Sequence, residues 1–292
     1  MNFASAVGGR LHASRSWLPS IASRAELFAI VGCVSAVNAF AGKIATAIYS
    51  QSLITAILDL GGVSAIVWFA IGTLFAISAE ASGASDAPGK PAMQPADKAV
   101  ACLTLFLSFA PLNFAAAIGL LLCGTYLTVA SARGSADRRI AIVMIALTGP
   151  VIWGRFLLAL MGPFLLNLDA GMAGLLAGVP VEGNVVSLRG ESDVLYVALG
   201  CSSVHNMSLA ILLFVTLTQF LRLRYTPLLL MAGAGAALAM ATVNVLRLAT
   251  LARFPQYFEL VHTGWGGTVF GTISFVAAGA VIAWGIHAEM AH

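Results

Sequence analysis

Long apolar runs recur down this chain, at about 27 to 49, 53 to 79, 99 to 112, 114 to 131, 140 to 162, 201 to 221, 226 to 248 and 264 to 286. A run of roughly 17 to 25 apolar residues spans the bilayer core as a helix, and there the backbone must satisfy its own hydrogen bonds. The expected fold is therefore all-α: a polytopic integral membrane protein with about eight transmembrane helices. Composition agrees, since 60% of the 292 residues are hydrophobic and 9% are charged. Soluble domains carry about 25% charged residues, which excludes a soluble α/β enzyme. The net charge of +3 is small and the arginines are scattered, so no clustered basic face offers itself to nucleic acid.

Basic residues collect in cytoplasmic loops. Here they form four islands: Arg10, Arg15 and Arg24; Lys90 and Lys98; Arg133, Arg138 and Arg139; Arg222 and Arg224. All four share one side only if an even number of helices separates each from the next. Between Lys98 and Arg133 that requires two short crossings, with Pro111 and Asn113 at the tip of a tight hairpin. The same parity sends residues 163 to 200 and 249 to 263 to the outer face. Ten of the fifteen Lys and Arg residues then lie inside, and Lys43, Arg155, Arg189, Arg247 and Arg253 are left over. Lys43, near a helix end, is expected to snorkel.

The chain divides into a basic cytoplasmic tail over 1–25, helices 1 and 2 over 26–79, a cytoplasmic linker over 80–98 and helices 3 to 8 over 99–292. The linker holds three prolines and no apolar period. The tail has the composition of an organelle transit peptide as well as of a cytoplasmic tail, and Ala39-Phe40-Ala41 imitates a signal-peptidase site. Helix 1 is kept in the mature protein because the basic region ahead of it is long. Between helices 5 and 6, residues 163 to 179 have a helical apolar period broken by Asn167 and Asp169, which fits a stretch lying along the membrane or re-entering it. Gly183-Asn184, flanked by Val185, Val186 and Leu188, reads as a small hairpin whose backbone edge can meet an extended peptide, or as a plain connection.

Of four cysteines, Cys33, Cys102 and Cys123 sit in apolar helix interiors, where cysteine behaves as a small hydrophobe. No CxxC or Cys/His ligand spacing appears, so no metal or other cofactor is expected. Cys201 stands at the expected outer N-terminus of helix 6, where unpaired amides and the helix dipole favour a thiolate. Arg247 closes helix 7, and Asn244, three residues earlier, faces the same way to orient its guanidinium. His262 precedes helix 8 on the same side. His205, one turn from Cys201, is a rival base, and Arg155 within helix 5 is an intramembrane charge that either serves the site, pairs with Asp169 or snorkels outward. Gly264, Gly266, Gly267 and Gly271 mark close helix packing.

The order of these residues resembles the exosortase and archaeosortase family of membrane transpeptidases. The match runs over roughly 150 to 275: GVPVEGNVVSL as lead-in, then ALGCSS, then NVLR, then the histidine before the last helix. The family usually shows Glu-Ala before the cysteine and Gly two residues after it, where this chain has Ala198-Leu199-Gly200 and Ser203. The resemblance implies Cys201 as nucleophile, Arg247 as the arginine and His262 as the histidine of a catalytic triad. Asn244, His205 and Arg155 would support them. It implies a cysteine protease or transpeptidase in the inner membrane, with its active site on the extracytoplasmic face. Its partners would be secreted proteins bearing a C-terminal sorting tail, together with membrane lipid. Two other classes stand beside it: a non-catalytic membrane factor in surface polysaccharide assembly, and a small-solute transporter, for which helices 1 to 4 offer few midplane polar groups.

Overall fold

The computed structural model describes residues 23–50, 53–83, 93–112, 114–262 and 265–290. Among them the chain is helical apart from one small sheet. The helices are α1 (Arg24–Ala39), α2 (Ala41–Ser50), α3 (Leu53–Leu58), α4 (Ala65–Gly83), α5 (Pro95–Phe109), α6 (Ala115–Ala130), α7 (Ala136–Leu147), α8 (Gly154–Ala177), α9 (Ser203–Phe220), α10 (Pro227–Arg253), α11 (Phe258–His262) and α12 (Trp265–Met290). Strands β1 (Val181–Glu182), β2 (Val185–Ser187) and β3 (Val194–Tyr196) lie between α8 and α9.

Local chemistry sets many of these ends. Ser23, Ser135 and Thr226 accept the backbone N–H groups of Glu26, Arg138 and Leu229, so α1, α7 and α10 each start on a hydroxyl cap. Pro95 and Pro227 occupy first-turn positions whose missing N–H is no loss. Gly178, at φ 69°, ends α8 in the left-handed conformation that glycine adopts freely.

Five helical stretches are long and apolar enough to cross a membrane: α4, the continuous run Ala136–Ala177, α9, α10 and α12. A sixth forms if α1 and α2, bent by 52° at Phe40, count as one span. The expected first span over 27–49 is thus broken, and the expected second, over 53–79, begins only at Ala65, after α3 and a turn through Gly61 and Gly62 at positive φ. The apolar pattern could not see these breaks, because the residues on both sides are equally apolar. The expected linker over 80–98 is helical at both ends, in α4 and α5, and its residues 84–92 lie outside the described set. Nearly all of the 1–25 tail and Asn113 of the expected hairpin tip also lie outside it; α5 ends at Phe109, just ahead of Pro111.

The largest departure is in the middle of the chain. Residues 163 to 177 continue, beyond a kink at Met161, the helical run that begins at Ala136. From Ala136 to Ala177 the chain is helical over 42 residues, with a π turn at Gly149–Trp153 and a kink at Met161. At about 1.5 Å per residue the run is roughly twice the hydrocarbon thickness. Pro163 bends it because proline cannot donate to the carbonyl four residues back. It does not end the helix, because the turn after it buries Leu166, Ala170 and Ala173 against the sheet and α10.

The main core joins Phe28, Leu74, Leu120, Ile140, Met144, Leu212 and Leu229. Close approach matters as much as bulk. A Cβ on Gly124 would come within 2.8 Å of Ile145 Cγ1 and 3.0 Å of the Ala141 carbonyl, so glycine lets α6 and α7 back onto each other. The outer faces of α10 and α12 stay apolar and exposed at Met231, Leu238, Ile273, Val276 and Trp284, a surface suited to lipid.

Ion pairs gather helix ends at one end of the bundle. Arg24 binds Asp97 at 2.8 Å and Asp137 at 3.1 Å, and Tyr126 Oη donates to the same Asp97 at 2.9 Å. Arg139 binds Glu80 at 2.9 Å and donates to the last carbonyls of α9, Gln219 at 2.8 Å and Phe220 at 3.2 Å, and Arg222 also pairs with Glu80. Thr226, capping α10, donates to Glu289 near the end of α12 at 2.6 Å. The starts of α1, α5, α7 and α10 therefore meet the ends of α4, α6, α9 and α12.

The sheet covers the opposite end, where α8 finishes, α9 starts and α10 finishes. β1 and β2 pair antiparallel across Gly183-Asn184, Val181 opposite Val186, with Gly183 at φ 61°, and β3 pairs antiparallel with β2. Val186, Leu195 and Val197 point inward onto α8 and the last turns of α10. The Arg189 N–H donates to the Ala252 carbonyl at 2.9 Å, tying the sheet's long turn to α10.

Candidate active site

Cys201 stands in a 3₁₀ turn, Leu199–Cys201, immediately ahead of α9. It is not the capping residue. Ser202 takes that place and accepts the Val204 N–H at 3.2 Å, because a hydroxyl at extended φ/ψ is the better cap. The anion at this helix start is Asp169 of α8, buried at 5% exposure, which accepts from the Ser203 N–H at 2.8 Å and Ser202 Oγ at 3.2 Å. A carboxylate therefore holds the Ser203 N–H at the start of α9. Of the roles open to Arg155, the pairing with Asp169 is not made; Arg155 lies over the Phe114 ring at 5.0 Å.

Asn244 does not turn back to Arg247. Its amide nitrogen crosses from α10 to the Cys201 carbonyl at 2.8 Å and to Ser203 Oγ at 3.3 Å. Asn244 is 4% exposed, and a buried amide left without a partner costs about 1–3 kcal/mol, so this bond holds the cysteine turn against α10. One turn on, Arg247 Nη2 donates to the His262 carbonyl at 3.0 Å. Its Nε is buried with no hydrogen-bond partner among the described residues.

His262 ends α11, its ring stacked on Phe258 at 5.1 Å and 16°. The tight passage into α12 depends on Gly266, where a Cβ would meet the Leu260 carbonyl at 2.8 Å. Gly267 lies over the Arg247 guanidinium, Gly271 has open space, and Gly264 lies outside the described residues.

Arg247, His262 and His205 border one cavity of about 730 Å³, together with Lys43 and Asp59. A second cavity, of about 400 Å³, reaches Leu199 and Gly200 beside Cys201 and is bordered by His205, Lys43 and Arg155. The structure thus gathers the arginine and both histidines around one space and ties the cysteine turn to the same helix through its backbone. Among the described residues no hydrogen bond joins the Cys201 sulfur to either imidazole. Sequence reasoning passed over the capping role of Asp169 and treated Lys43 as a snorkelling side chain. The signal for both was present, an ionisable residue within an apolar run.

Among the described residues all four cysteines are free, and no three His, Cys, Asp or Glu side chains cluster to hold a metal ion. Comparison with protein-family models, with curated proteins and with solved structures finds no match to this chain.

Proposed function

We propose that this chain is a membrane-embedded cysteine transpeptidase of the exosortase kind, cleaving the C-terminal sorting tail of secreted proteins at the outer face of the inner membrane. One observation carries the reading: α10 grips the thiol-bearing turn through Asn244 and the imidazole-bearing turn through Arg247, three residues apart on one helical face. In this reading the ion-paired end is cytoplasmic and the sheet outside, supported by the basic residues Arg24, Arg139 and Arg222 at that end. The eight crossings add the shorter α5 and α6 to the five long stretches and the bent pair of α1 and α2.

In this reading the Cys201 thiol loses its proton to His262 and its sulfur attacks the peptide carbonyl. The Arg247 Nε–H, which has no partner in the resting chain, donates to the oxyanion. The imidazolium then protonates the leaving amine as the C–N bond breaks, leaving a thioacyl enzyme that an amine or water resolves. Catalytic hydrogen bonds in a substrate-free enzyme are often loose and tighten on binding; here His262 borders the larger cavity, and Leu199 and Gly200, just ahead of Cys201, border the smaller. The test is substrate processing in cells. Cys201→Ala is expected to abolish it, while Cys33→Ala, Cys102→Ala and Cys123→Ala leave it intact. Normal processing by Cys201→Ala would transfer the protein to a non-catalytic role in surface polysaccharide assembly.

A further inference from the structure

Three cavities, of about 730, 660 and 400 Å³, meet at Lys43. Arg155 borders the two smaller ones, and His205 borders the largest and the smallest. These side chains come from three elements, α2, α8 and α9, brought together by the bend at Phe40 and by the long run that carries Arg155 past its π turn. Lys43 and Arg155 are near enough for their charges to act on each other, and His205 lies within reach of both. Among the described residues neither cation has an ion pair. Asp59 borders two of the cavities, so the junction holds two cations against one carboxylate. Two cations facing the same space with one carboxylate between them repel each other and mark a place where an anion can bind.

We propose that this junction binds the phosphate of a membrane lipid headgroup. A phosphate offers three or more acceptor oxygens, which suits an ammonium, a planar guanidinium and an imidazole converging from separate directions better than the two oxygens of a carboxylate do. Each cavity is far larger than a phosphate, leaving room for the rest of a headgroup. The surroundings suit lipid chains: Leu112 and Phe114 line the 660 Å³ cavity while remaining exposed, and Phe156 and Leu160 continue an exposed apolar face along α8. The site draws on none of Cys201, Arg247 or His262, but it opens onto the 730 Å³ cavity that Arg247 and His262 also border, so lipid binding rather than peptide cleavage is its readout.

The test is binding to the purified full chain in a neutral detergent, comparing dioctanoylphosphatidic acid, dioctanoylglycerol and inorganic phosphate. The phosphatidic acid is expected to bind about tenfold or more tightly than the matched diacylglycerol, the effect of adding charge-assisted hydrogen bonds. Lys43→Gln and Arg155→Gln are each expected to weaken it by about tenfold, while Lys43→Arg retains most of the affinity and Arg224→Gln, at the other end of the bundle, changes nothing. Equal binding of phosphatidic acid and diacylglycerol to the unaltered chain would overturn the proposal, whatever the variants do. Inorganic phosphate binding as tightly as the lipid would overturn the lipid assignment in favour of a free phosphate. Displacement of bound phosphatidic acid by a glutamate-bearing peptide at comparable concentration would overturn it in favour of an acidic peptide.

Discussion

Two histidines border the same cavity as Arg247, and their backbones distinguish them. His205 is in the first turn of α9, separated from the Cys201 turn by the extended backbone of Ser202. His262 arrives on a separate short helix whose carbonyl is held by Arg247, so its ring can approach a bound peptide from across the cavity. His262→Ala is expected to slow single-turnover acyl-enzyme formation by about 10² or more, as loss of a general base does, and His205→Ala is expected to retain most of the rate. The reverse outcome would exchange their roles. How much of this site was legible depends on the residue. Cys201, Asn244, Arg247 and His262 stand out by type and order, but the partner of Asn244 did not. Spacing on α10 pointed its amide at Arg247, whereas the bond goes to a carbonyl 43 residues away. Asp169 shows the same limit, since nothing near it in sequence reveals that it faces an amide 34 residues on.

Elements follow the apolar pattern closely in the middle of helices and poorly at their ends. α6, α9, α10 and α12 lie close to the apolar runs because a run of that length has little choice but to be helical in a bilayer. The break at Phe40 and the continuation through Pro163 were decided by packing. Arg24 makes the same point with energetic consequences. It looked like part of a solvated basic tail, yet it opens α1 at 7% exposure between Asp97 and Asp137, themselves buried, and so joins α1 to α5 and α7. Removing one member of a buried ionic group leaves the others uncompensated, at about 3–5 kcal/mol. Arg24→Met is therefore expected to lower unfolding stability in detergent by that order. A loss below about 1 kcal/mol, the range of exposed pairs, would mean that water reaches both carboxylates.

At the scale of the whole molecule, the helix ends sort into two sets, one joined by ion pairs and one capped by the sheet. Topology then follows from charge: the end carrying Arg24, Arg139 and Arg222 is expected inside, and the sheet with its exposed 189–193 turn outside. In a background with all four native cysteines replaced by alanine, Glu191→Cys is expected to react with an impermeant maleimide on intact cells and Arg224→Cys only after lysis. Glu191 is a better reporter than Gly183, whose positive φ penalises any side chain. Labelling of Arg224→Cys on intact cells would invert the protein in the membrane. The helical character of the chain and the apolar length of its main helices were determined by sequence alone, because run length and hydropathy are local quantities. The cap on α9, the grip of α10 on two turns and the meeting of Lys43, Arg155 and His205 were decided only by tertiary structure. Each is a contact between residues far apart in the chain, and its geometry depends on bends whose causes lie in packing.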